Sequence, residues 1–256
     1  MSIGHVLVGS GPVTVIALHG WFGSAQGWGE LPLRIDGDRY TVAFLDYRGY
    51  GSRKDETGDY SLAEISADAR ELADELGWEH YALIGHSMGG SAMMRTFADA
   101  PERVTGLVGI SPVPPTGVPF DDDSWALFDG AAVNDENRAA IIGFTTGNVH
   151  PDEWVQQLVR FSVDNSRRDA FGAYLPSWGK TDFHEEVPAV QVPLRVITGA
   201  RDAALGPQTC EATWLQLFPG ARMDVIDDAG HYPMYESPDV FMTHLDSALG
   251  EVPSDE

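Results

Sequence analysis

The 256-residue sequence predicts an α/β fold, a mostly parallel central β-sheet flanked by helices and interrupted once by a helical segment. Three observations predict it. Short apolar runs alternate with helical patterns up to about residue 112 and again from about residue 188, as in sheets whose two faces are both covered. Between those stretches no strand pattern occurs. Gly85-His86-Ser87-Met88-Gly89, with Gly90 directly behind, stands where an apolar run meets a good helix former. A Gly-x-Ser-x-Gly at such a junction is the form of a sharp strand-to-helix turn that thrusts a serine hydroxyl outward.

Taken in order, Ile3 to Val8 and Val13 to Leu18 read as strands parted by the turn Gly9-Ser10-Gly11-Pro12. His19-Gly20-Trp21-Phe22-Gly23 is too rich in glycine to continue the second. Tyr40 to Asp46 is a buried strand that leaves through Tyr47-Arg48-Gly49-Tyr50-Gly51. Ser61-Leu62-Ala63-Glu64 is a capping box opening a helix, because Leu62, Ile65, Ala69, Leu72 and Leu76 recur at helical spacing and Gly77 ends it. His80 to Ile84 is the strand before the serine, Ser91 to Ala98 lies in the helix after it, and Val104 to Ile110 is a further strand. Pro112-Val113-Pro114-Pro115-Thr116-Gly117 stops the alternation. Four helical patches follow, at Asp122 to Ala132, Asp135 to Thr145, Pro151 to Asn165 and Arg167 to Trp178. The rhythm resumes with a strand at Leu194 to Thr198, a helix from Pro207 to Leu217, a strand at Met223 to Ile226 and a closing helix from Pro238 to Leu249. Glu251 to Glu256 reads as a frayed end. The expected domains are a core of residues 1–112 and 188–256 and a helical insertion of residues 113–187.

Composition narrows the partners. Hydrophobic residues make up 43% and charged residues 21%, as in an ordinary globular protein. Acidic residues outnumber basic ones 39 to 16, a net charge of −23 that repels nucleic acid and anionic membranes. The expected partner is a small molecule. One cysteine, Cys210, excludes an internal disulfide and suits a reducing compartment. The N-terminal residues lack a basic region and a long apolar run, so the expected location is the cytoplasm.

A serine hydroxyl becomes a nucleophile when a base takes its proton and a third group orients that base. Both partners belong on loops at the carboxyl ends of strands, where open parallel sheets place their sites. Asp202, in Gly199-Ala200-Arg201-Asp202, and His231, in Asp227-Asp228-Ala229-Gly230-His231-Tyr232-Pro233, stand at such ends. Ser87, Asp202 and His231 also follow one another in the order known for serine turns of this kind. Asp227 and Asp228 compete with Asp202 as the orienting acid but rank below it, since Asp202 has a strand end to itself. A developing oxyanion needs two N–H donors. The expected pair is Met88, after the serine, and Trp21, with Phe22 as the close second because the pattern leaves the offset open.

Other side chains have plainer readings. His86 neighbours the serine but is expected to point away from it. His5, His80, His150, His184 and His244 show no ligand spacing, and Asp121-Asp122-Asp123 reads as a solvated helix start rather than a calcium loop. No metal or cofactor is expected. Arg48 reads as a structural loop residue. The helical segment carries ten aromatic residues and few obvious charges, so Trp125, Phe128 and Trp178, with Phe22 and Tyr232 from the core, are the expected substrate-binding side chains.

Together, Gly85-His86-Ser87-Met88-Gly89-Gly90, His19-Gly20-Trp21, Asp46-Tyr47-Arg48-Gly49-Tyr50-Gly51, Gly199-Ala200-Arg201-Asp202 and Asp228-Ala229-Gly230-His231 resemble the α/β-hydrolase fold superfamily, over about Ile3 to Leu249. Nearest in pattern are serine carboxylesterases, lactonases, carrier-protein methyl esterases and meta-cleavage C–C hydrolases. The resemblance implies a helical cap inserted after the sixth strand of the family's count, matching residues 113–187, and an acid after the seventh. Ser52 follows Gly51 directly, where the commoner family form has one residue between, which touches only the local loop. The implied activity is cofactor-free cleavage of a carboxylic ester or lactone of a neutral, fairly hydrophobic substrate. Serine at the turn argues against epoxide hydrolases and haloalkane dehalogenases, which use a carboxylate. C–C bond hydrolysis, perhydrolysis, acyl transfer and a ligand receptor with a vestigial triad stay open as alternatives.

Overall fold

Seven strands form one sheet in the computed structural model, which describes residues 3–253. They are β1 (His5–Gly9), β2 (Val13–Leu18), β3 (Tyr40–Leu45), β4 (Tyr81–His86), β5 (Val104–Ile110), β6 (Leu194–Gly199) and β7 (Arg222–Ile226). Their order in space is β1-β3-β2-β4-β5-β6-β7, and every neighbouring pair is parallel except β1 on β3. Although only a short loop joins β1 to β2, they do not pair. Ser10 N–H and Gly11 N–H donate instead to Gly37 and Tyr40 carbonyls, which sends β1 to the far side of β3.

The helices are α1 (Leu31–Arg34), α2 (Leu62–Leu76), α3 (Met88–Asp99), α4 (Asp122–Gly130), α5 (Asp135–Thr145), α6 (Asp152–Asn165), α7 (Arg168–Lys180), α8 (Pro207–Ala212), α9 (Trp214–Leu217), α10 (Pro233–Glu236) and α11 (Pro238–Leu249). Side-chain alternation along the strands makes two cores. Ile16, Leu18, Leu83 and Leu107 face α2 and α3, whereas Val15, Ala17, Ala82 and Ile84 face α11 and Trp28. Every residue of β4 is buried, which explains the apolar run from Tyr81 to Ile84.

Local chemistry sets the helix ends. Ser61 Oγ accepts from Glu64 N–H, and Gly77, at φ +72°, closes α2 in the left-handed region. Glu64 does not complete the expected capping box. Its carboxylate accepts from Asp59 N–H and Tyr60 N–H, bracing the loop before the helix. Asp121 and Ser124 form a capping box on α4, so the acidic run there is a helix start. The helix expected from Pro207 to Leu217 breaks at Thr213, whose hydroxyl bonds back to Thr209 O. Beyond the break Trp214 is fully buried and donates its Nε1–H to Pro112 O.

Between β5 and β6 the chain forms α4 to α7 and no strand. The family's count, in which this insertion follows the sixth strand, therefore runs one ahead of the strands found here. The expected fraying also stops short of Glu251 and Val252. Glu251 pairs with Arg195 at 3.1 Å, and Val252 is buried beneath Gly106; Ser254 to Glu256 lie outside the described residues.

Candidate active site

Ser87 joins β4 to α3 at φ +54° and ψ −120°, a region that costs an L residue on the order of 1–3 kcal/mol. Surrounding bonds hold it there. Ser87 N–H donates to Ile110 O at 3.0 Å, and Ser87 O accepts from Gly90 N–H at 2.8 Å and Val113 N–H at 2.9 Å. Close backbone approach explains the flanking glycines, since a Cβ on Gly85 would lie 2.3 Å from Gly89 O and one on Gly89 2.0 Å from Leu18 O.

Asp202 lies just past β6 and His231 just past β7, and the two are joined by a 2.6 Å hydrogen bond between Nδ1 and Oδ2. The other carboxylate oxygen accepts from Ala204 N–H and Leu205 N–H, each at 3.0 Å. Burial works to raise the Asp202 carboxyl. The His231 imidazole and those two amides outweigh it and hold the group below the ordinary carboxylate range. Ionised at neutral pH, Asp202 fixes the Nδ1–H tautomer and leaves Nε2 for a proton. Asp228 is engaged elsewhere, accepting from Ser237 Oγ at 2.9 Å, and Asp227 is exposed.

Ser87 and His231 together border two adjoining spaces. One is a slot of about 20 Å³ beside Gly20, Gly23, Gly27 and Phe161. The other is a cavity of about 300 Å³ that runs under the helical insertion. Of the expected substrate-binding residues, Phe22, Phe128, Trp178 and Tyr232 line the cavity. Trp125 does not. Ser124 and Phe128, four apart on α4, present one helix face to the cavity, and Trp125 lies off that face. Its ring packs edge-on against Phe120 at 5.6 Å and lies beneath the Lys180 ammonium at 3.4 Å. Phe120, Ile141 and Leu205 complete walls that sequence patterns do not mark, because they are ordinary apolar residues from a helix and two separate loops.

Trp21 is buried, and its ring stacks on Phe171 of α7 at 3.9 Å while its Nε1–H donates to Phe171 O at 2.7 Å. Tyr47 and Tyr50 hydroxyls, each at 2.9 Å, tie down the carbonyls of His19 and Trp21. Among the described residues the N–H groups of Trp21, Phe22 and Met88 have no protein acceptor. Met88 opens α3, where the first amides have no intrahelical partner and the helix dipole is positive. Ser52, the departure from the commoner pattern, donates its N–H and Oγ–H to Asp46 Oδ2, both at 2.8 Å, closing the loop after β3. Arg48 pairs with Asp68 and Glu64, away from the cavity.

Two residues outside the expected set adjoin the site. His86 is buried and does not simply turn away. It borders the slot, and its Nε2 lies 2.9 Å from His231 O. Burial, with the His231 imidazole alongside, lowers its pKa to about 3, so the neutral ring donates Nε2–H to that carbonyl. His19, stacked on Tyr47 at 3.8 Å, is likewise lowered, to about 4, by burial.

Comparison with known proteins agrees with this architecture. The model of the alpha/beta hydrolase family matches residues 15–243. The dihydrolipoyllysine-residue acetyltransferase component of the acetoin cleaving system of Cupriavidus necator is 27% identical over 94% of this chain, which spans 65% of that relative's length. Esterase YbfF of Escherichia coli is 28% identical, with 93% of each chain covered. Among solved structures, the enol-lactonase of Burkholderia xenovorans superposes with a TM-score of 0.84 at 19% identity, covering 97% of this chain and 96% of that one. A match over most of the length, on a seven-stranded sheet with a strained serine turn, makes this chain a member of the alpha/beta hydrolase family.

Proposed function

We propose that the protein is a serine hydrolase that cleaves a carboxylic ester or lactone through an acyl-enzyme on Ser87, without a cofactor. The observation that carries this reading is the Asp202–His231 hydrogen bond at the rim of a cavity shared with the strained Ser87. His231 Nε2 takes the Ser87 proton as Oγ attacks the carbonyl, and Asp202 stabilises the imidazolium. N–H groups of Met88 and Trp21 receive the oxyanion, in a site where fixed donors need no reorganisation. His231 then protonates the leaving alcohol and activates the water that releases the acid.

The cavity supports the substrate class. Apart from His231, none of its lining residues is acidic or basic. The hydroxyls of Thr145, Thr209 and Thr213 are already bonded to backbone carbonyls. A neutral, largely apolar substrate fits such walls. An esterase name on a relative 28% identical and a lactonase name on a structure of like fold are in keeping with this chemistry. The buried, unpaired Cys210 suits a cytoplasmic setting.

Ser87→Ala is the test. Turnover of p-nitrophenyl acetate should fall by several decades, roughly to the level left by binding and oxyanion donors alone, while circular dichroism stays unchanged. Activity that survives the substitution removes the mechanism.

A further inference from the structure

The loop that carries His231 is held by its backbone as well as by Asp202. Glu236, on α10, has a fully buried side chain whose two oxygens straddle His231. Oε2 accepts from Gly230 N–H at 2.9 Å and Oε1 from Tyr232 N–H at 2.8 Å. Between them, His231 N–H donates to Thr145 O at 3.1 Å and His231 O receives His86 Nε2–H. Three consecutive amides and one carbonyl are thus fixed by groups outside the loop. Thr145 ends α5, in the helical insertion. A second insertion residue completes the set, since His150, between α5 and α6, places Nε2 2.8 Å from Glu236 Oε2 and stacks on Trp154 at 4.0 Å. A buried carboxylate is stable only when its lone pairs are met, and here one of its three donors comes from across the insertion boundary.

We propose that Glu236 and His150 are positioning residues, a clasp through which the helical insertion sets the place of His231. Neither lines the catalytic cavity, so each acts through the histidine loop. The proposal rests on the reading of His231 as the base. Losing His150 leaves Glu236 Oε2 short of a donor and frees the carboxylate to shift, carrying Gly230 and Tyr232 with it. A displacement of about 1 Å at a reacting group costs on the order of 100-fold in rate, and a partial slip should cost about tenfold.

The test measures kcat and KM on p-nitrophenyl acetate, with kcat expressed per Ser87 titrated by a small organophosphate. His150→Ala should lower kcat about tenfold with KM within about twofold, and Glu236→Gln should lower it further. His150→Gln, which keeps an N–H donor, should recover most of the loss. The double variant should be no slower than Glu236→Gln alone, because the two residues act in series. A merely structural role would reduce the titratable fraction and melting temperature while leaving kcat per titrated site intact. That result, wild-type kcat in His150→Ala, or losses that multiply in the double variant, would overturn the clasp. Organophosphate that fails to label Ser87 would instead overturn the serine mechanism itself.

Discussion

At the scale of single residues, the side chains proposed to make and break bonds were legible because their chemistry restricts both residue type and place. Ser87 needs a cramped turn, which forces glycine two residues to either side. Asp202 and His231 need strand ends, which the alternation of apolar runs locates. His86 and Glu236 were not legible in the same way. His86 meets a carbonyl 145 positions away, and the value of Glu236 comes from two amides and a histidine that only folding brings to it. No spacing rule marks a carboxylate that acts by accepting backbone N–H groups. Asp202→Asn gives the sharpest residue-level test of the pair it forms with His231. The amide would offer His231 Nδ1 a donor in place of an acceptor, turn the imidazole to the wrong tautomer and lower kcat by about 10⁴-fold with the fold preserved. Stopped or steady-state assays that show less than a tenfold loss would mean that another acid orients the ring.

Among the elements, the strands and the longer helices follow from periodicity and capping, and the insertion was visible as a stretch without strand patterns. What its aromatic rings do was not, because that depends on which face of each short helix turns inward. On α4 the face that carries Ser124 and Phe128 turns to the cavity, and Phe120 packs against both Trp125 and Phe128 although only the second of those rings borders it. On α7, Trp178 reaches the cavity while Phe171 stacks on Trp21, so this one helix both walls the pocket and supports the loop of the proposed oxyanion donor. Truncation should separate these roles. Phe128→Ala and Trp178→Ala enlarge the cavity and should move the kcat/KM optimum toward esters with longer chains. Trp125→Ala should leave the chain-length profile unchanged, since it removes a ring held under Lys180 outside the lining. Phe171→Ala should cost about 3–5 kcal/mol of stability and lower kcat for short and long esters alike. A chain-length series across the four variants checks all of this, and a profile shifted by Trp125→Ala would place that ring in the pocket.

The whole molecule combines a net charge of −23 with two buried neutral histidines beside the serine turn, and the two features respond oppositely to acid. Lowering the pH relieves repulsion among carboxylates, which favours the folded state. It also protonates histidine in the unfolded chain. His86, at about 3, and His19, at about 4, lie below the ordinary 6.5, mainly through burial. The unfolded state therefore binds more protons between about pH 6.5 and 4, and stability must fall as the pH drops through that window. Magnitudes decide which effect prevails at pH 5. Ordinary carboxylates, with pKa values near 4, are only about a tenth protonated there, so little repulsion has been lifted. Each buried histidine by then costs about 2 kcal/mol relative to pH 7.5. Denaturant titrations at the two pH values should show a loss of about 4 kcal/mol in the wild type. In His86→Gln the amide can still donate to His231 O but cannot titrate, so roughly half of that loss should disappear. Equal pH dependence in wild type and variant would mean that His86 takes up its proton while folded, and the neutral donor to His231 would then have no basis.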